Sequence, residues 1–130
     1  MYTFRKGEKL RNFGIIRSLF EQGHSFYEYP FKVYYMLINE RSEKYPAQVL
    51  FSVSKKRFKK AVDRNRIKRL IREAYRLNKA SLYEFIDNDK AMLIIGIVYT
   101  GKDMPVYNET ESKIILILRR LMKEYEKLTK

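Results

Sequence analysis

Residues 91–99, Ala-Met-Leu-Ile-Ile-Gly-Ile-Val-Tyr, are apolar almost without interruption. A strand with one wet face alternates polar and apolar side chains. A continuous apolar run of this length instead reads as a strand covered on both faces. The run is too short to span a bilayer. The rest of the chain must therefore supply cover for the two faces of a sheet. At 130 residues it is long enough to do so as one domain, residues 1–130.

Candidate elements follow from spacing. Leu10, Phe13, Ile16 and Phe20, with Ile15 and Leu19 beside them, recur at helical intervals. They predict a first helix over residues 9–22, stopped by Gly23. Residues 25–29 read as a short edge strand ended by Pro30. Residues 31–38 and 47–54 are rich in aromatic and β-branched side chains and read as strands, with 39–46 a polar hairpin loop. A basic helix follows, with Asp63 as its expected N-cap. Residues 80–86 extend it or form a short helical turn, and Asp87-Asn88-Asp89 breaks it. After the apolar strand come a loop containing Pro105 and a final helix over residues 110–128. Ile114, Leu118, Leu121, Met122 and Tyr125 share the inward side of that helix. Residues 1–8 are expected to be loose. The order is α-β-β-β-α-β-α, an α/β (α+β) two-layer sandwich around a mixed sheet of about four strands.

Charge is concentrated in one place. The chain carries 28 Lys and Arg against 15 Asp and Glu, a net +13 with a pI near 9.9. Residues 55–79 hold twelve of the cations and only two carboxylates, so this window alone carries +10. Within it Ile67, Leu70, Ile71 and Ala74 form an apolar helical stripe. Asn65, Lys68, Arg69, Arg72 and Arg76 gather opposite, with Arg64 and Arg66 on the borders. Cations in the first turns of a helix oppose its macrodipole, by about 0.3–1 kcal/mol each. A bound anion relieves that repulsion, and helix starts are natural phosphate sites. A solvated basic face is the plain alternative. The size and placement of the charge favour a polyanionic partner.

Other signals are negative. No cysteine is present, so no disulfide framework or zinc knuckle is expected, in keeping with a cytoplasmic protein. The first residues lack the apolar core of a secretory signal. No basic amphipathic segment carries the tryptophans or lipidation motifs of a membrane binder. His24 is the only histidine, so no histidine pair exists for acid–base cleavage of RNA. Asp87 and Asp89 resemble half a metal site, a pattern that is usually turn chemistry. No Gly-rich phosphate loop, nucleophile triad or metal-ligand spacing appears, and no catalytic residue is assigned.

The same window carries a resemblance. Ser52-Val53-Ser54-Lys55-Lys56, then Ala61-Val62, then Arg64-Asn65-Arg66-Ile67-Lys68-Arg69-Leu70-Ile71-Arg72-Glu73 resembles the signature of the bacterial ribonuclease P protein component family. The glycines that usually flank the lysine pair are absent, and the loop after it is one residue longer. Length and element order are also similar to the family from end to end. The resemblance implies a left-handed crossover between two parallel strands, where the common rule would give a right-handed one. It implies a subunit of a ribonucleoprotein whose RNA removes the 5′ leader of precursor tRNA, using Mg²⁺ held mainly by that RNA. The implied partners are ribonuclease P RNA and precursor tRNA, with no membrane and no DNA. Lys55, Lys56, Arg64, Asn65, Arg66, Lys68, Arg69 and Arg72 then face the RNA subunit. Asn65, a poor helix former, either makes a specific hydrogen bond there or braces the preceding loop. A cleft between the first helix and the sheet is implied for the single-stranded leader. Phe20 and Tyr34 match its aromatics, and Ile16 stands where a further aromatic is usual. Core packing is the better reading of Ile16 and Phe13 by themselves. Of Tyr34 and Tyr35, alternation allows only one to join the core. A generic RNA-binding protein of ribosomal type and a protein-only nuclease are the rival classes.

Overall fold

A computed structural model of the chain describes residues 3–41, 44–86 and 90–129, and every structural statement concerns these. Four strands, β1 (His24–Glu28), β2 (Phe31–Ile38), β3 (Ala47–Val53) and β4 (Met92–Tyr99), form one sheet in the order β1-β2-β4-β3. The β1–β2 and β2–β4 pairs are antiparallel, and β3–β4 is parallel. The apolar run thus takes an interior position, as its composition requires. Residues 39–46 are consequently not a hairpin loop. Strand β4 lies between β2 and β3.

Four helices accompany the sheet: α1 (Phe13–Gln22), α2 (Ala61–Asn78), α3 (Ala80–Phe85) and α4 (Tyr107–Leu128). One face of the sheet presents Phe26, Phe31, Val33, Tyr35, Ala47, Val49, Leu93, Ile95 and Ile97. The main core lies between these side chains and Ile67, Ile71, Ala74, Leu82, Ile114, Ile117, Leu118 and Leu121 of the helices. The opposite face is covered only in part. There Leu10, Leu19, Met92 and Ile94 form a small second core. Tyr34, Met36, Ile38 and Leu50 pack half-buried against it, and Ser25, Tyr27 and Lys32 are left exposed. On α4, Ile114, Leu118, Leu121 and Tyr125 are buried as the spacing predicts, Met122 only partly, and Ile117 and Glu124 also turn inward.

Helix starts differ in three places from the spacing, the last being α4, which opens at Tyr107 rather than residue 110. Asn12 caps α1, its side chain accepting from the Ile15 N–H at 3.0 Å, so the helix opens at Phe13 rather than residue 9. Helix α2 opens at Ala61 with Lys60 at the cap, and Asp63 sits inside the first turn. From there its carboxylate still offsets the positive end of the helix.

The lead-in is not loose. Residues 6–8 make a 3₁₀ turn, Lys9 bridges Val49 alongside β3, and Leu10 is buried. Glu8 is fully buried and ion-paired with Lys79 at the α2–α3 junction. The Lys79 ammonium also donates to the Thr3 carbonyl. The Glu8 carboxylate accepts from the Tyr83 hydroxyl at 2.7 Å and from the Arg5 N–H at 2.6 Å. A buried charge persists when it is paired and its remaining lone pairs are satisfied, which this network achieves.

Tyr75 and Tyr83 share a hydrogen bond at 3.2 Å in the same region. Burial pushes both phenols above the ordinary 10.0. The buried phenols stay protonated where unfolded ones ionise, so above pH 10 the unfolded chain binds fewer protons and stability falls as pH rises. Below that pH the contribution is fully present. Melting temperatures measured from pH 8 to 11 should therefore drop steeply past 10, and less steeply for Tyr75→Phe. Parallel curves for the two proteins would contradict this assignment.

Candidate nucleic-acid interface

Two surfaces stand out, one on α2 and the loop that leads into it, the other between α1 and the sheet face opposite that helix. The first is cationic. Ile67, Ile71, Ala74 and Tyr75 bury the inner side of α2. Arg66, Arg69, Arg72 and Asn65 are thereby left exposed, with Lys68 half-buried. Lys55 and Lys56 project from the loop of residues 54–60, which joins β3 to this helix. Among the described residues none of these six cations pairs with a carboxylate. The field also runs past the outer edge of β3. There Lys68 and Arg72 share a cavity of about 230 Å³ with Lys9 and Arg11.

Arg64 behaves differently from its neighbours. One guanidinium nitrogen donates to the carbonyls of Phe58 at 2.7 Å and Lys59 at 2.9 Å. It ties the basic loop down onto the start of α2. The loop is further closed by the Phe58 N–H on the Ser54 carbonyl at 3.1 Å and by the Phe58 ring, 6.1 Å from that of Tyr99. Bracing of the loop therefore falls to Arg64, and exposed Asn65 has no hydrogen-bond partner among the described residues.

The second surface is aromatic and lies between α1 and the open sheet face. Period two sends Tyr34 to this face and Tyr35 to the core. Tyr35 is buried, which raises its phenol above the usual value. Phe20, partly exposed, stands edge-on to Tyr34 with ring centroids 4.7 Å apart. Lys32 places its ammonium 5.2 Å from the Tyr34 ring centroid. Ile16 packs half-buried against the small core beneath. Phe13 is 87 % exposed and belongs to neither core.

Gly96 is what lets α1 settle here. A Cβ at this position would lie 3.1 Å from Leu19 Cδ2 and 3.4 Å from Phe20 Cζ. A glycine inside an apolar strand is the usual mark of such close approach, a signal present in the sequence that pattern reading passed over. Gly96→Val should displace Phe20 and cost about 1–3 kcal/mol of stability through overpacking. Denaturant titration checks the cost, and an unchanged midpoint would mean that α1 can move away freely.

Asp87 and Asp89 lie outside the described residues. Among those described, no three of His, Cys, Asp and Glu come together in a way that could hold a metal ion. Among the described residues no helix is long and apolar enough to cross a membrane.

Comparison with known proteins bears on this arrangement. The family model described as Ribonuclease P matches residues 4–122. The Porphyromonas gingivalis ribonuclease P protein component is 39% identical over 110 residues, covering 85% of this chain and 80% of that one. The component from Chlorobium phaeobacteroides is 35% identical over 128 residues, covering 92% and 88%. Among solved structures, the Staphylococcus aureus RNase P protein superimposes with a TM-score of 0.67 at 22% identity, over 88% of this chain and 94% of its own. The Thermotoga maritima protein gives 0.65 at 23% identity, over 87% and 96%. These likenesses agree with the four-stranded mixed sheet and its helices. By sequence and by fold, the chain belongs to the bacterial ribonuclease P protein component family.

Proposed function

We propose that this protein is the protein subunit of a ribonuclease P ribonucleoprotein. It binds the catalytic RNA, holds the 5′ leader of precursor tRNA and assists endonucleolytic 5′ maturation. The observation that carries this reading is the row of unpaired cations on α2 and its leading loop, together with an aromatic groove on the other face of the sheet. Arginine forks suit bidentate contact with phosphates, and lysines add point charges. Arg66, Lys68, Arg69, Arg72, Lys55 and Lys56 grip the RNA subunit. Arg64 contributes by holding the loop in place, and Asn65 offers its free amide to the RNA. Phe20 and Tyr34 take bases of the single-stranded leader, and Ile16 supports them from below. Stacking plus a basic groove is the usual way to hold a single strand.

In this reading the Mg²⁺ is held mainly by the RNA subunit. The protein's own part is to neutralise phosphates and orient the leader. The experiment incubates the pure protein with precursor tRNA and Mg²⁺, with and without a bacterial ribonuclease P RNA. Cleavage stimulated only in the presence of that RNA, most clearly at low magnesium, is the expected result. Cleavage by the polypeptide alone would overturn it in favour of a protein nuclease. No stimulation would leave a generic RNA binder.

A further inference from the structure

The open sheet face continues past Phe20 and Tyr34. Across β1 and β2, Ser25 lies opposite Tyr34 and Tyr27 opposite Lys32. The side chains of Tyr27, Lys32 and Tyr34 therefore share the open face. Tyr27 is 55% exposed and Tyr29, just beyond the strand, is 62% exposed. Their rings meet edge-on at 6.2 Å. Exposure on this scale ordinarily leaves a side chain free to rotate. Tyr27 is instead held by its hydroxyl, which lies 2.8 Å from Thr100 Oγ1. That hydroxyl is itself fixed, donating to the Pro30 carbonyl at 2.8 Å. The tip of the ring is anchored while its face meets solvent.

An anchored and uncovered ring is costly to maintain unless something stacks on it, because ordering it loses entropy and leaves apolar surface wet. Its surroundings narrow the choice of occupant. Lys32 sits between the two aromatic stations, within reach of the Tyr34 ring on one side and opposite Tyr27 on the other. Glu28, the carboxylate of this strand, turns to the other face and pairs with Lys113 at 3.5 Å. A cation flanked by two π faces, with no acid beside it, suits alternating phosphates and bases.

We propose that Tyr27 and Tyr29, with Lys32, form a second base-stacking station for the single-stranded RNA leader, in line with the first at Phe20 and Tyr34. The proposal rests on the reading of the α1–sheet cleft as the leader site and adds one station to it. The leader footprint of this protein is accordingly longer than the Phe20–Tyr34 pair alone can provide. Specificity for base identity is low at the new station, because every base offers a π face.

The test uses the reconstituted holoenzyme and measures affinity for precursor tRNA with a long leader and for leaderless tRNA. Tyr27→Ala/Tyr29→Ala should weaken long-leader binding on the order of tenfold relative to leaderless tRNA. Tyr27→Phe/Tyr29→Phe, which keeps both rings, should retain most of the affinity. If the alanine pair behaves as wild type while Phe20→Ala/Tyr34→Ala loses leader-dependent affinity, the second station is refuted and the cleft survives. If wild type gains nothing from a leader, both fall. An equal loss on both substrates, or an equal loss for the phenylalanine pair, would also refute stacking at Tyr27 and Tyr29.

Discussion

Lys79→Met should lower stability by about 3–5 kcal/mol, the usual penalty for leaving one member of a buried ion pair without its partner. For a chain of this size the loss corresponds to roughly 10–20 °C in melting temperature. Glu8 would keep its bonds from Tyr83 and Arg5, but its charge would stand uncompensated beneath α3. The double change Glu8→Gln/Lys79→Met removes both charges and should recover part of the loss, so the two single effects should not add. Thermal melts of the four proteins complete the cycle. A cost below about 1 kcal/mol for Lys79→Met would mean that water or a proton reaches Glu8, and the interior pair would not be what secures the lead-in.

The second large effect concerns RNA. Arg66→Ala/Arg69→Ala/Arg72→Ala should reduce affinity for ribonuclease P RNA by at least about a hundredfold, since each charge-assisted contact is worth roughly 1.5–3 kcal/mol. The slope of log affinity against log salt should shrink by about 2–3, one phosphate contact per lost cation. All three side chains are exposed, so the melting temperature should hold or rise as like charges are removed. Lys123→Ala/Lys127→Ala on α4, where Lys127 already faces Glu124 at 3.5 Å, provides the comparison. Equal losses from the two variants would mean that net charge, rather than a placed face, attracts the RNA.

Much of this architecture could be read from periodicity. The strand at residues 31–38 and the central position of β4 follow from residue patterns alone, because burial on one face or two leaves a direct imprint on composition. The strand order was less legible. Residues 39–46 look like a hairpin loop because nothing local says that a strand 50 residues later will come between β2 and β3. The lead-in was missed for a similar reason. Glu8 and Lys79 are an ordinary pair of charges until folding brings them together across 71 positions.

At the site, residue type and role separated in instructive ways. The alternation that leaves one of Tyr34 and Tyr35 outside was sound, and β2 decides in favour of Tyr34. The signature marks Arg64 as one cation among several, yet its guanidinium is engaged by two carbonyls of its own loop. Such a bond depends on the loop's turn, which the missing glycines and the longer spacing make hard to foresee. Asn65, by contrast, keeps its amide open where a bracing role could have claimed it.

The bridge between Lys9 and Val49 has a bearing on solubility. Strand β3 is the sheet's outer member, and an unpaired border of this kind invites other chains to add to it. The short segment around residue 9, pinned through Glu8, occupies part of that border and surrounds it with positive charge. A preparation clipped after residue 10 should thus aggregate as well as soften, and light scattering of such material would reveal the lead-in as a guard against self-assembly.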